Sequence, residues 1–421
     1  MKKSILSVIL ALVCNVIFAS TIPTNLPEYK VVIPTRTDKI RSISDSAKFY
    51  LVTCEPGDAV YARFGHSGIR VYDAENDIDE VFHWGLFSFD TPNFIGRFIA
   101  GKTDYMMGVY DTKFFMLEYI ERGSSVYAQE LNLTSEQKHK FWAKLWENYR
   151  PENREYRYNF IYDNCATRPY QLIISTYDYK VSLNYDLHQT TYRDIINKYV
   201  PIGSILNTGI NLIIGCHADK FITTKESVAF PIYAMDALTH TNYITENGLN
   251  PIVKTQKVMH CAEHKKFVVS QFAYYISIII PLLLALICGL YTYKKKRYVP
   301  YFTHLVLFVS GLIGLVISYL WFFSHHPLVD NNMNILWCNP LNIILAILLF
   351  IHKKSLRITK FILSIISLIL SIIFLISLIL NIQSTSTQIF SIWVFILTIY
   401  CTIVYTYKHK GKKSLHKTHR K

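Results

Sequence analysis

Residues 64–73 read Phe-Gly-His-Ser-Gly-Ile-Arg-Val-Tyr-Asp, and they contain the clearest structural pattern in the first half of the chain. Its second half has the composition of a β-strand. Turn residues follow at 75–77, and residues 80–87 (Glu-Val-Phe-His-Trp-Gly-Leu-Phe) form a second run rich in strand-forming side chains. The sequence therefore predicts an antiparallel hairpin, with His66 at the head of its first strand and His83 on its partner.

The segments around this hairpin mix strand and helix patterns. Residues 21–47 contain several prolines and are expected to form an extended lead-in, and residues 48–54 form another β-rich run. A helical pattern covers residues 134–149, and a second helix is expected after Asn164. Strands paired as antiparallel hairpins, together with separate helices, predict a domain of the α+β class.

Cys165 is the strongest candidate nucleophile in this half. Asp163 or Asn164 can cap a helix that begins near Cys165, and the positive end of the helix dipole favours a thiolate there. Such a nucleophile needs a base and a group that orients the base. His66 is the best candidate base, and His83 could orient it if the two side chains share a face. A buried structural cysteine and structural histidines are the competing interpretation of these residues.

Other reactive groups have weaker surroundings. Cys54 lies in a strand and is expected to be buried, and His188 and His217 have no comparable neighbourhood. The candidate nucleophile and the two hairpin histidines are also zinc-competent ligand types. Nothing in their spacing favours a metal, so we predict no metal and no cofactor.

The second half of the chain is a membrane domain by its hydropathy. Each of five apolar runs is close to the ~20 residues that a helix needs to cross a bilayer. The third run is short and contains Asn339 and Pro340, so its ends are the least certain. The five runs lie at residues 267–291, 301–323, 335–351, 361–380 and 389–407.

The net charge of +14 belongs to this membrane half. Residues 267–421 hold fifteen Lys and Arg against a single acid, Asp330, which accounts for the whole excess. The remaining 29 basic and 29 acidic residues balance in residues 1–266. The charge therefore gives no support for a groove that binds nucleic acid, and we expect no nucleic-acid partner.

The basic residues also predict the orientation of the domains. They cluster between runs one and two, between runs three and four, and in the tail, whereas the alternate connections have none. This positive-inside pattern places the tail in the cytoplasm and the first half outside.

The chain begins with the pattern of a secretory signal. Lys2 and Lys3 precede a short apolar stretch that ends at small residues, and an uncleaved anchor is the alternative. The predicted organisation is a signal peptide at 1–20, a periplasmic catalytic domain at 21–262, five membrane helices at 263–407 and a basic cytoplasmic tail at 408–421.

Two further features lead to expectations that the structure can test. The eight cysteines include no Cys-x-x-Cys pair, and an oxidising compartment would permit one disulfide, for which Cys216 and Cys261 are the expected pair. The connection at residues 324–340, here called the polar loop, is unusually polar for a short turn between spans. It is either a lip that contacts lipid headgroups or covers the active site, or an ordinary turn rich in Asn and Pro.

The sequence resembles a known family at its most distinctive residues. A histidine on a strand, followed about 100 residues later by Asn-Cys at the start of a helix, resembles a circularly permuted papain-like domain of the lecithin:retinol acyltransferase type. The closer resemblance is to the Lnb family of bacterial lipoprotein N-acyltransferases. It rests on Cys54-Glu55-Pro56-Gly57, Phe64-Gly65-His66-Ser67, Trp84-Gly85-Leu86-Phe87-Ser88-Phe89, Pro92-Asn93-Phe94 and Tyr162-Asp163-Asn164-Cys165-Ala166-Thr167-Arg168.

The resemblance implies an acyltransferase in the cytoplasmic membrane with its catalytic domain in the periplasm. A phospholipid would donate a fatty acyl chain to Cys165 as a thioester, and the N-terminal amine of a diacylglyceryl-cysteine lipoprotein would accept it. A papain-like cell-wall peptidase or amidase and a non-catalytic membrane receptor or scaffold are the alternatives.

The resemblance also implies roles for particular residues. Cys165 and His66 match the nucleophile and the base, whereas His83 stands where the family often has another polar residue. Backbone N–H groups at the helix start, including that of Cys165, are expected to stabilise the oxyanion. The expected substrate-binding residues are Asn164, Arg168, His325, His326 and Asn331.

Overall fold

A computed structural model gives the architecture of the chain. It describes residues 41–87, 92–263, 271–295, 299–384 and 388–408. The expected signal peptide, most of the lead-in, Ser88-Phe89 of the family motif and the tail after Lys408 lie outside the described residues.

The first half is built on a seven-stranded antiparallel sheet with the strand order β10-β5-β1-β2-β3-β4-β6. A smaller sheet has the order β7-β8-β9. The strands are β1 Lys48–Cys54, β2 His66–Asp73, β3 Ile78–Leu86, β4 Asp104–Asp111, β5 Val126–Leu131, β6 Glu155–Arg157, β7 Val181–Leu183, β8 Thr241–Thr245, β9 Gly248–Pro251 and β10 Val253–His260. The predicted hairpin is confirmed as β2–β3, and the predicted strand at 48–54 is confirmed as β1.

Helices cover this sheet and connect its strands. They are α1 Phe94–Ile99, α2 Thr112–Glu121, α3 Ser135–Tyr149, α4 Thr167–Ile174, α5 Tyr192–Tyr199, α6 Ile205–Ile213, α7 Thr224–Ser227 and α8 Pro231–Thr239. The predicted helix at 134–149 is confirmed as α3. Thr134 caps it in a capping box with Gln137, which satisfies backbone N–H groups at the helix start. The α+β fold class is therefore confirmed.

The two faces of the large sheet bury different groups. On one face, Leu51, Ile69 and Phe82 lie side by side on neighbouring strands. They belong to the main hydrophobic core, together with residues of α3 and α4. Because alternate residues of a strand point to opposite faces, His66 and His83 lie on the other face. There α2 covers the strands with Phe115 and Tyr119.

The second half consists of apolar helices. Among the described residues, these are α9 Gln271–Lys295, α10 Pro300–Phe323, α11 Leu341–Phe350, α12 Arg357–Ile379 and α13 Gln388–Lys408. Four segments are long and apolar enough to cross a membrane: Ile278–Lys295, Pro300–Phe323, Met333–Phe350 and Lys354–Ile379. A shorter apolar helix covers Ser391–Tyr407.

The third apolar segment differs from a simple span. It consists of a 3₁₀ turn at Met333–Leu336, a break at Asn339-Pro340 and the ten-residue helix α11. Helix α10 approaches this break closely, because a Cβ on Gly314 would lie 2.2 Å from the carbonyl oxygen of Cys338. Asn342 donates to Ser310 Oγ and accepts from Ser367 Oγ, which joins three apolar segments through buried polar groups.

The polar loop fastens the first half of the chain to the membrane helices. The Gly215 N–H donates to the Leu328 carbonyl at 2.7 Å, and the Cys216 N–H donates to the Asn331 carbonyl at 3.2 Å. A Cβ on Gly215 would lie only 1.9 Å from the Asp330 carbonyl oxygen, so this contact requires glycine.

The expected disulfide is wrong. Cys216 and Cys261 are both free. Cys216 lies against the polar loop through its N–H, and its Sγ is 3.6 Å from Oε1 of Gln383, which follows α12. Cys261 is exposed after the end of β10. The fold holds the two cysteines in different environments, which the spacing of cysteines in a sequence does not reveal.

Candidate active site

A tight turn places His66 at the start of β2. Gly65 adopts a φ of +81°, a left-handed conformation that favours glycine. A Cβ at this position would also lie 2.5 Å from the Cys54 carbonyl oxygen. In the sheet register Cys54 stands directly opposite His66, and it is fully buried, as predicted.

His66 and His83 form a hydrogen-bonded pair on one face of the sheet. His66 Nε2 lies 3.1 Å from His83 Nδ1, and the two rings meet nearly edge to face. The pairing of Gly68 with His83 in the β2–β3 register brings the second histidine beside the first. The prediction that the two side chains share a face is confirmed.

Aromatic rings surround this pair and keep it neutral. The His66 ring stacks on Tyr119 with an interplanar angle of 11°, and His83 packs against Tyr110 and Phe115. Burial lowers the pKa of His66 well below its usual value, and His83 and Arg122 lower it further. Burial lowers the pKa of His83 to about 4. Both rings are therefore uncharged at neutral pH.

Cys165 lies just before α4, held by its neighbour Asn164. The Asn164 Oδ1 accepts from the backbone N–H groups of Ala166 and Thr167 at 2.8 and 3.0 Å. Its Nδ2 donates to the carbonyls of Phe160 and Ala229. The N-cap residue of α4 is Ala166, so neither predicted capping residue occupies that position, but Asn164 holds the turn that leads into the helix through its two accepted hydrogen bonds. These four hydrogen bonds fix the segment that carries Cys165, and the expected role of Asn164 in substrate binding stays a prediction.

The thiol of Cys165 is half-buried beside the first residues of β2. The backbone N–H groups of Ser67 and of Cys165 itself both lower its pKa, but burial has the larger effect and raises the pKa to about 11. The expectation that the helix start favours a thiolate is therefore wrong for this state. Burial outweighs the backbone N–H groups, and α4 itself starts two residues later, at Thr167.

The nucleophile and the histidine pair meet at one end of β2. The residue whose N–H points at the Cys165 sulfur is Ser67, which directly follows His66. Among the described residues, the only hydrogen bond of the His66 ring is the one to His83. No group of three or more His, Cys, Asp and Glu within these residues is arranged to hold a metal ion.

Arg168, the second expected substrate-binding residue of this segment, is engaged by protein groups. Its guanidinium forms a bidentate ion pair with Asp163, with distances of 2.5 and 2.8 Å, and lies 3.8 Å from the centre of the Tyr156 ring. It lines a groove of about 670 Å³, of which Trp84 is also part and Cys165 is not. Arg168 therefore lies in the first turn of α4 and lines a groove that does not include Cys165, and its expected contact with substrate stays a prediction.

The three expected substrate-binding residues of the polar loop lie at the junction of the two halves. The His325 N–H donates to the Ala100 carbonyl, and the His326 ring bonds the Phe98 carbonyl at the end of α1. Asn331 bonds the Cys216 N–H through its carbonyl oxygen. The polar loop is therefore docked on the first half of the chain through specific hydrogen bonds.

The other reactive residues are accounted for by local contacts. His188 is exposed and pairs with Asp186, and His217 Nδ1 lies 2.9 Å from Asp330 Oδ1 in the polar loop. The sequence reasoning missed Gly85, whose position leaves no room for a Cβ beside the His66 ring. An isolated glycine inside a strand pattern is the signal that could have pointed to it.

The comparisons with known proteins agree with this arrangement. The model of the Lnb N-terminal periplasmic domain matches residues 36–198, and that of the Lnb transmembrane domain matches residues 269–412. The chain belongs to the Lnb family. The two matches cover both halves of this Lnb chain, which is therefore a membrane protein with a periplasmic domain. Family membership indicates an enzyme of lipoprotein processing. Neither a curated protein nor a solved structure matches the chain significantly.

Proposed function

We propose that the protein moves a fatty acyl chain from a phospholipid, through a thioester on Cys165, to the N-terminal amine of a diacylglyceryl-cysteine lipoprotein. The observation that supports this proposal is the contact of Cys165 with the backbone N–H of Ser67, the residue after His66, in a membrane-anchored Lnb chain whose His66 bonds His83. The enzyme works in the cytoplasmic membrane with its catalytic domain in the periplasm.

The first step forms the acyl-enzyme. The Cys165 sulfur attacks the ester carbonyl of the phospholipid, and His66 Nδ1 takes the thiol proton. The tetrahedral intermediate collapses, the bond to the glyceryl oxygen breaks, and His66 returns the proton to that oxygen. Lysophospholipid leaves, and the acyl chain stays on Cys165 as a thioester.

The second step reverses the roles. The lipoprotein amine attacks the thioester, its proton goes to His66, and the thiol leaves with that proton. This route requires the His66 tautomer that carries its proton on Nε2 and donates it to His83 Nδ1. His83 then acts as a positioning residue, in the way that a third group orients the base of other nucleophilic triads.

The electrostatics support a neutral thiol and imidazole in the resting enzyme. The pKa of Cys165 is raised and that of His66 is lowered, so the proton stays on sulfur until a substrate carbonyl is attacked. Catalytic hydrogen bonds often tighten only once the substrate is bound, which fits the lack of a thiol–imidazole bond in the free protein. The N–H groups of Ser67 and Cys165 are available to stabilise developing negative charge.

The membrane helices explain how the two substrates meet. Both are lipids that diffuse in the outer leaflet of the cytoplasmic membrane. A catalytic domain fastened to the bundle through the polar loop stays close to that leaflet.

The experiment is to replace Cys165 by Ser in cells and to read lipoprotein N-termini by mass spectrometry. We expect the N-acyl group to disappear while the diacylglyceryl group remains. The matched control is Cys261→Ser, an exposed cysteine outside the site, which should leave N-acylation unchanged. Purified wild-type protein incubated with phospholipid should gain the mass of one acyl chain on Cys165. Unchanged N-acylation in the Cys165→Ser strain would rule out the proposal.

A further inference from the structure

We propose that a row of aromatic rings, formed by Phe98, Phe94, Phe87, Tyr105 and Tyr158, guides the fatty acyl chain from the membrane surface to Cys165. This inference rests on the proposed function and deepens it by assigning the path of the donor chain. We call these five side chains the aromatic row.

The rings of the row are in continuous contact. Tyr158 stacks on Tyr105 with ring centres 4.1 Å apart, and Tyr105 stacks on Phe87 at 4.8 Å. Phe87 stacks on Phe94 at 5.9 Å, and Phe94 on Phe98 at 6.1 Å. All four pairs of neighbouring rings are therefore stacked, and the five rings form one continuous row.

One end of the row stands at the membrane. Phe98 packs edge-on against the His326 ring, with centres 5.5 Å apart, and the backbone of α1 accepts hydrogen bonds from the polar loop at Ile99 and Ala100. The loop residue that bonds Ile99 is Ser324, which directly follows the last residue of α10. Helix α1 is thus fixed one residue beyond the end of a span, where Phe322 and Phe323 are exposed.

The other end of the row stands at the nucleophile. Tyr158 and Cys165 flank a small loop that Asn159 and Asp163 close with two backbone hydrogen bonds of 2.8 and 3.2 Å. Burial raises the pKa values of Tyr105 and Tyr158, and the proximity of the Cys165 sulfur raises both further. Phe87 lies two residues after Gly85, which touches the His66 ring.

Exposure distinguishes the outer end of the row from ordinary core, whereas Tyr105 and Tyr158 also pack against the main core. Core rings such as Phe49 and Phe82 are completely buried, whereas Phe98 is 44% exposed and the other four members are only partly buried. Contiguous exposed apolar surface on a folded domain marks a binding site more often than chance. The neighbours Ile95 and Ile99 extend the same apolar surface on α1.

The surroundings of the two ends of the aromatic row favour a fatty acyl chain as its ligand. One end adjoins a membrane span, which supplies lipid chains, and the other adjoins a thiol that attacks their ester group. A hydrocarbon chain gains free energy from every methylene that it moves onto an apolar surface, and it needs no hydrogen-bond partners there. The stacked rings provide such a surface, in which the hydroxyls of Tyr105 and Tyr158 are the polar groups of the row.

Cross-linking tests the path without requiring turnover. Full-length protein carrying Cys165→Ser is reconstituted in vesicles that contain phosphatidylethanolamine with a diazirine in one acyl chain, irradiated, and digested for mass spectrometry. We expect adducts on peptides within residues 92–105. Adducts confined to residues 271–408, or equally frequent on the α2 peptide, would overturn the inference.

Kinetics test whether the row selects long chains. Phe98→Ala in an otherwise wild-type enzyme is compared with Phe114→Ala, which removes an equally large and more exposed ring from α2, away from the row. Acyl-Cys165 formation is measured with a long-chain phospholipid and with a short-chain p-nitrophenyl ester. We expect Phe98→Ala to lower the long-chain to short-chain rate ratio by about tenfold, from the loss of one apolar ring contact, and Phe114→Ala to leave it unchanged.

The outcomes separate this inference from the proposed function. An unchanged ratio in the Phe98→Ala enzyme would refute the aromatic row while leaving acyl transfer through Cys165 intact. If the wild-type enzyme forms no acyl-Cys165 with either donor, the proposed function fails, and the cross-linking pattern alone decides whether the row binds acyl chains.

Discussion

Gly85→Ala is a single-methyl change that should disable the site without unfolding the domain. A Cβ added to Gly85 would lie 2.5 Å from Cε1 of His66, whereas ordinary contact begins at 3.4 Å. The imidazole must therefore move by about 0.9 Å, because β3 holds the backbone of residue 85 in place. The movement also strains the 3.1 Å hydrogen bond to His83. A displacement of about 1 Å at a reacting group costs about 100-fold in rate, so we expect a loss of this size in acyl-Cys165 formation.

The assay is single-turnover acylation of purified protein by phospholipid in vesicles, followed by intact mass. The matched control is Gly209→Ala, because Gly209 lies in α6 and a Cβ there meets nothing within 4 Å. Thermal unfolding measured in the same vesicles shows whether both variants are folded. We expect both to unfold cooperatively near the wild-type temperature and only Gly85→Ala to lose activity.

Two results would refute the reasoning. A folded Gly85→Ala enzyme with wild-type acylation would show that the position of the His66 ring does not limit the reaction. An equal loss of activity in Gly209→Ala would show that the assay responds to added methyl groups in general.

Two further predictions concern the histidine pair and the polar loop. Only neutral His66 accepts a proton, and burial lowers the pKa of His66. We therefore expect kcat/KM to stay constant as the pH falls through 6.5 and to decline only at lower pH. A decline centred at pH 6.5 or higher would contradict the assignment of buried His66 as the base. Gly101→Ala should destabilise the protein by at least about 1 kcal/mol more than Gly123→Ala and make the polar loop more sensitive to protease. Gly101 and Gly123 have nearly the same φ, +66° and +65°, but only a Cβ on Gly101 would meet the polar loop, 2.8 Å from the backbone nitrogen of His326. Equal destabilisation by the two substitutions would show that the contact with the polar loop is not its cause.

Much of the site was predictable because its parts are local patterns. Strand alternation and turn residues located the hairpin that carries His66 and His83, and the Asn-Cys pair located the start of a helix. The α3 helix followed from its capping residues and apolar spacing. The predicted spans corresponded to apolar helices, except that Asn339 and Pro340 split the third segment.

The errors have a common physical cause. The charge state of Cys165 depends on how deeply the fold buries the thiol, and the helix-start pattern contains no information about burial. The substrate contacts expected of Asn164 and Arg168 stay predictions, but the sequence did not reveal that Asn164 Nδ2 donates to the carbonyl of Ala229, 65 residues away. The same holds for the unformed disulfide of Cys216 with Cys261.

The amino-acid sequence alone was enough to predict the two-domain organisation, the periplasmic side for the first half, and the candidate nucleophile and base. These properties depend on hydropathy, charge and short motifs, which act locally. Three features became visible only in the folded chain: His83 bonds His66, Gly85 leaves space for the His66 ring, and the polar loop docks on α1. These are contacts between segments far apart in the chain, and their geometry is set by sheet register and helix packing that no local pattern encodes.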